Sequence, residues 1–134
     1  MKYLLDTNIW IHLSRGRYGI ESRIREAGIG NCVISEISLL ELLYGAECSD
    51  KKDSAMRWID ALQRNVAVIP IGGALRTFAT QKARLRREGN MTDDFDLLIA
   101  ATAMAGAYIL VSENTQHFAR FNDLQIENWT RRDG

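Results

Sequence analysis

The 134-residue chain has one proline, two cysteines and two histidines, and its 17 basic and 17 acidic residues cancel to a formal net charge of zero. Each of these scarcities excludes something. Cys32 and Cys48 form neither a C-x-x-C pair nor a metal-ligand spacing, so they read as reduced thiols of a cytoplasmic protein. His12 and His117 have no sequence neighbours that would complete a zinc site. A balanced charge removes the long-range attraction of a strongly basic protein for nucleic acid and leaves only local basic patches. The longest apolar run, from Leu97 to Val111, falls short of the ~20 residues that cross a bilayer, and Gly106 divides it. "MKYLLDTN" reaches an aspartate too early for a signal peptide. A soluble protein with no membrane partner is expected.

What is present is ordinary globular material, 46% apolar and 25% charged, of a length that suits a single domain over residues 1–134. "KYLL" (2–5), "NCVIS" (31–35), "VAVIPI" (66–71), "AYILVS" (107–112) and "LQIENW" (124–129) read as strands, the last at an edge. Between them lie segments of helical periodicity at 20–28, 35–45, 53–65, 74–88 and 93–105. In the second of these, Ile37, Leu40 and Tyr44 are expected to share the buried face. The strands are continuously apolar instead of alternating, as strands covered on both faces are. The expectation is an α/β/α sandwich around a mainly parallel sheet of four to five strands, with right-handed crossovers. Ligands in such folds bind beyond the carboxyl ends of the strands, where strand order reverses.

Three acids stand where that rule directs attention. Asp6 follows the first strand, where an N-cap is the plain alternative. Glu41 sits among Leu39, Leu40, Leu42 and Leu43, leaving the helix little polar surface, and an acid so placed is usually paired or metal-bound. Asp96 closes "MTDDFD" just before the apolar "LLIAATA". Asp93 or Thr92 caps that helix, Asp94 is solvated, and Asp96 turns toward Asp6 and Glu41. Clustered carboxylates raise one another's pKa, and a divalent cation relieves the repulsion. All-oxygen ligands favour Mg²⁺ or Mn²⁺, which points to metal-dependent phosphoryl chemistry.

"LLDTNIWI", "ISEISLLELLYG", "DLLIAATAMAGAYILVSENTQHFARF" and "LQIENW", in this order and spacing, resemble the PIN-domain ribonucleases, and more closely the VapC toxins of VapBC toxin–antitoxin pairs. The resemblance runs from Lys2 to Trp129. It implies a PIN fold and endonucleolytic cleavage of RNA by water activated on a divalent ion. Asp6 and Asp96 would be ligands, and Glu41 a ligand or the residue that holds the attacking water. Thr7, Asn8 and Ser112 would orient these groups from behind. The family's fourth acid follows the fourth strand, but "VSENTQHF" has Asn114 there, with Glu113 adjacent, and either residue can be aligned with it. The resemblance further implies a VapB-like antitoxin and homodimers or heterotetramers and larger assemblies with that antitoxin.

Two basic groups, Lys82, Arg84, Arg86 and Arg87, and Arg15, Arg17, Arg23 and Arg25, are solvated helix faces of which some members would contact phosphate. Trp10, Ile11, Leu13, Leu42 and Leu43 line either an antitoxin groove or simply the core. A receiver domain would need an acidic pair after the first strand, and a haloacid-dehalogenase-type phosphatase an acid where Asn8 stands. The alternative that survives is a catalytically silent RNA- or protein-binding module of the same fold.

Overall fold

The continuously apolar segments do form strands, shorter than their apolar runs. The structure, a computed structural model, describes residues 1–131; the last three positions of the expected domain lie outside the described residues. The strands are β1 (Tyr3–Leu5), β2 (Cys32–Ser35), β3 (Ala67–Ile69), β4 (Ile109–Val111) and β5 (Ile126–Glu127). They form one sheet in the order β3-β2-β1-β4-β5, and every pairing is parallel. In the centre, Leu4 stands in register with Val33 on one side and Leu110 on the other. β5 lies at an edge, as expected.

Side chains alternate across this sheet and feed two cores. Leu5, Cys32, Ile34 and Val111 pack on one face beneath α1 (Thr7–Ser14), α2 (Ile20–Ala27), α3 (Glu36–Glu47) and α4 (Lys52–Asn65). Leu4, Val33 and Leu110 pack on the other, with Leu85 of α5 (Leu75–Arg87), Leu97, Ile99 and Ala103 of α6 (Asp94–Gly106), and Phe118 of α7 (Thr115–Phe118). Two covered faces explain why these strands carry no polar alternation. Leu4 and Leu110 are fully buried, so truncating either to Ala would cost about 2–5 kcal/mol. Among the described residues no helix is long and apolar enough to cross a membrane.

One local feature differs from the expectation, and two that it left open are settled. In α3 the inward positions are Ile37, Leu39, Leu42 and Ala46, whereas Leu40 and Tyr44 are 48% and 71% exposed. The leucine run fits two adjacent stripes, and the sheet selects the other one. The end of α6 divides its work between two residues: Ala107 takes the left-handed conformation at φ 56°, while Gly106 meets the Tyr108 ring so closely that a Cβ would lie 2.3 Å from it. The third is α1, a full helix directly after Asp6, which the sequence allowed but did not demand.

Candidate active site

The strand order reverses between β1 and β4, and the residues leaving these two strands meet at once. Asp6 is buried, with its carboxylate held at both oxygens. Oδ1 accepts the Thr7 backbone N–H at 2.8 Å, and Oδ2 accepts the Ser112 hydroxyl at 2.9 Å. Ser112, fully buried, also accepts the Asn114 N–H at 3.0 Å. Asp6 is thus the N-cap of α1 and a member of the acidic group together. Burial pushes its pKa up to about 6; the hydrogen bonds from Ser112 and Thr7 oppose the rise, and the charges of Asp96 and Glu41 add to it.

Glu41 arrives from α3, which Ser35 starts by accepting the Ser38 N–H. It is half-buried, and its Oε1 accepts the Thr7 hydroxyl at 2.6 Å. Thr7 Oγ1 in turn lies 2.9 Å from Ser38 Oγ. Thr7 therefore links the helix that follows β1 to the helix that follows β2. Asp96 stands in the first turn of α6, which Asp93 caps with a long 3.4 Å bond to the Asp96 N–H. Burial raises the Asp96 pKa, the neighbouring His117 opposes the rise and Asp93 adds to it. Asp94 faces out and pairs with Lys82 at 3.0 Å.

The expected residues near the fourth position separate. Glu113 turns to α1, where His12 Nε2 lies 3.2 Å from both of its carboxylate oxygens, and the Tyr18 ring stands edge-on to the imidazole. Asn114 is exposed and begins α7 without a side-chain capping bond. Asn8 is exposed and lines a hollow with Thr7, Ile11, Leu40, Glu41, Tyr44 and Phe95. Among the basic residues, Arg25 and Arg84 are occupied by Glu21 and Glu88 of their own helices. Trp10 and Leu42 belong to the core, while Ile11 and Leu42 also line a groove with Ala46, Ala55, Trp58 and Ile59. His117 was not singled out as a site residue in the sequence; its Nε2 lies 3.3 Å from Asp96 Oδ2.

The donors that converge are carboxylate and hydroxyl oxygens, the chemistry of a hard divalent cation. Among the described residues no three acid, histidine or cysteine side chains are grouped tightly enough to enclose an ion. Such a set fits Mg²⁺ or Mn²⁺, which retain several waters, better than an ion fully caged by protein. The cost already carried by Asp6 gives the cation something to relieve.

The PIN domain family matches residues 3–124. The tRNA(fMet)-specific endonuclease VapC of Shigella flexneri is 31% identical over 97% of this chain and 99% of its own length. Ribonuclease VapC2 of Haemophilus influenzae is 34% identical over 96% of this chain and 98% of its own. Among solved structures, VapBC2 from Rickettsia felis bound to a promoter DNA fragment superposes with a TM-score of 0.89 at 29% identity, covering 96% of this chain and 99% of that one. With a matching fold, near-complete coverage and an acidic group where the parallel sheet reverses, the chain belongs to the PIN-domain family, among the VapC ribonucleases.

Proposed function

We propose that this protein is the toxin of a type II toxin–antitoxin pair, a single PIN domain acting in the cytoplasm as a Mg²⁺- or Mn²⁺-dependent endoribonuclease. The observation that supports it most is the buried Asp6 carboxyl, whose pKa burial pushes up to about 6, with Asp96 and Glu41 near enough for their charges to add to the rise. Asp6 and Asp96 would hold the ion, directly or through water, with Glu41 beside them. When bound, the cation supplies Lewis-acid activation of water and neutralises charge on the phosphate. Glu41, fixed by Thr7, accepts a proton or hydrogen bond from the attacking water. Ser112 keeps Asp6 Oδ2 oriented, and Asn8 lies at the open side, where the RNA backbone would pass. Asn114 supplies at most a weak neutral ligand, and Glu113 has its partner in His12.

The relatives named as tRNA(fMet)-specific endonucleases make a transfer RNA the first substrate to try. The groove bordered by Ile11, Leu42, Trp58 and Ile59 would take an apolar segment of a VapB-like antitoxin, and the protein would form homodimers within that complex. Purified protein is incubated with transfer RNA and Mn²⁺, beside a chelated control and the Asp6→Asn variant. Cleavage confined to wild type with Mn²⁺ supports the reading. A folded wild type that binds RNA without cutting it under any divalent ion would favour the silent binding module.

A further inference from the structure

Asp96 stands in the most weakly anchored position of the three acids. Its backbone N–H is capped at only 3.4 Å, its side chain is 37% exposed, and no neighbouring N–H or hydroxyl of α6 grips the carboxylate. Among the described residues, the protein group that stands against it comes from α7: the His117 Nε2, 3.3 Å from Oδ2 and 2.9 Å from the Thr92 hydroxyl. The imidazole is hydrogen-bonded to the Thr92 hydroxyl through Nε2, and the same nitrogen stands in close N···O contact with the Asp96 carboxylate.

The segment that carries His117 is itself braced. Phe118 buries its ring in the core beside the imidazole, the two centroids 5.0 Å apart. Arg120 donates to the His117 carbonyl at 2.9 Å and reaches the Asn90 and Met91 carbonyls at 3.3 and 3.5 Å. Arg84 of α5 donates to the Arg120 carbonyl at 3.1 Å. One network thus joins the turn before α6, the end of α5 and α7, and it reaches the acids through the imidazole of His117.

We propose that His117 is a positioning residue for Asp96: its imidazole, tied to Thr92 and braced by the α7 network, stands against Oδ2 and so fixes the direction in which the carboxylate is presented to Asp6 and Glu41. The proposal rests on the reading of Asp96 as an active-site acid. Loss of a partner that orients a metal-binding carboxylate typically costs about 10–100-fold in metal affinity or activity.

Crystals of metal-free His117→Leu and His117→Gln test the positioning directly. Gln places an amide N–H near the site of Nε2, whereas Leu places none. In His117→Leu the Asp96 carboxylate should leave its position; in His117→Gln it should stay. In solution, the Mn²⁺ concentration that half-saturates the rise in melting temperature should increase roughly tenfold or more with Leu and return close to wild type with Gln, while KM for RNA changes little. An unmoved Asp96 in His117→Leu overturns the proposal. So does a Gln variant as impaired as Leu, which would make the imidazole itself a ligand of the ion, and so does a change confined to KM, which would make it an RNA contact. If Leu prevents folding, the Gln variant decides alone, and a displaced Asp96 there overturns the proposal. A wild type whose melting ignores Mn²⁺ sinks the metal reading of the site, while the Asp96 position in the metal-free crystals still decides this one.

Discussion

Replacing Asp6 by asparagine should make the metal-free protein more stable at neutral pH. The carboxyl of Asp6 is buried, and its pKa rises from 3.8 to about 6. Because the folded-state pKa lies above the unfolded one, the fold favours the protonated acid. That contribution is complete below about pH 4 and disappears as pH rises through about 6. Above that window the ionised carboxylate costs the fold about 3 kcal/mol on the scale of 1.36 kcal/mol per pKa unit. Asparagine removes the charge and keeps the acceptor for the Thr7 N–H, but it presents an NH₂ group to Ser112. Ser112 already accepts from Asn114, so its hydroxyl hydrogen loses its partner, at a cost of about 1 kcal/mol. A net gain of about 2 kcal/mol remains, which for a domain of this size is about 5–10 °C in melting temperature. Calorimetry or circular dichroism with a chelator at pH 7.5 and pH 4 measures it. The gain should be present at pH 7.5 and absent at pH 4. Excess Mn²⁺ should then reverse the order, because an ion that binds only native wild type adds stability the variant cannot gain. Equal or lower stability of Asp6→Asn at pH 7.5 would refute the account of a charge held at a cost.

Three further outcomes follow from the same geometry. Glu41→Gln keeps an oxygen for the Thr7 hydroxyl, so its melting temperature should stay within a few degrees of wild type while single-turnover RNA cleavage falls by about 10²-fold or more; retained cleavage removes Glu41 from the chemistry. Glu113→Gln should lose the His12 pair and leave cleavage within about twofold, whereas Asn114→Asp should lower the Mn²⁺ needed for half-maximal cleavage by adding a charge to the shell; the reverse pattern in a metal titration would assign the fourth position to Glu113. Leu97→Ala, fully inside the core, should cost about 2–5 kcal/mol in urea unfolding, and a loss under 1 kcal/mol would contradict the close packing of α6.

Much of this was legible in the sequence because burial on both faces leaves a plain signature. The apolar runs at 2–5, 31–35 and 107–112 became the three central strands, and β5 lies at the edge expected of it. Asp6 and Asp96 were marked by their place beside apolar segments, and Glu41 by the leucines around it. Other features had no local signal. Leu40 and Tyr44 face outward because α3 has apolar residues on more than one stripe, and only the sheet decides which is covered. The partners of the two histidines come from elsewhere in the chain, Glu113 for His12 and Asp96 for His117, and no periodicity connects them. Gly106 was read only as a break in the apolar run; that the left-handed turn falls on Ala107 and that the Tyr108 ring leaves no room for a side chain at 106 had no local signal.

The central pairing of β1 with β4 carries a consequence for synthesis. Ser112 and Asp6 are 106 residues apart in sequence, yet their hydrogen bond closes the floor of the acidic group. On a ribosome, Asp6 emerges early and waits without its sheet partner until Val111 and Ser112 have cleared the exit tunnel. Pairings of such long range form slowly and late. The acidic group therefore cannot assemble on a nascent chain until the 106 residues that separate its two halves have been made.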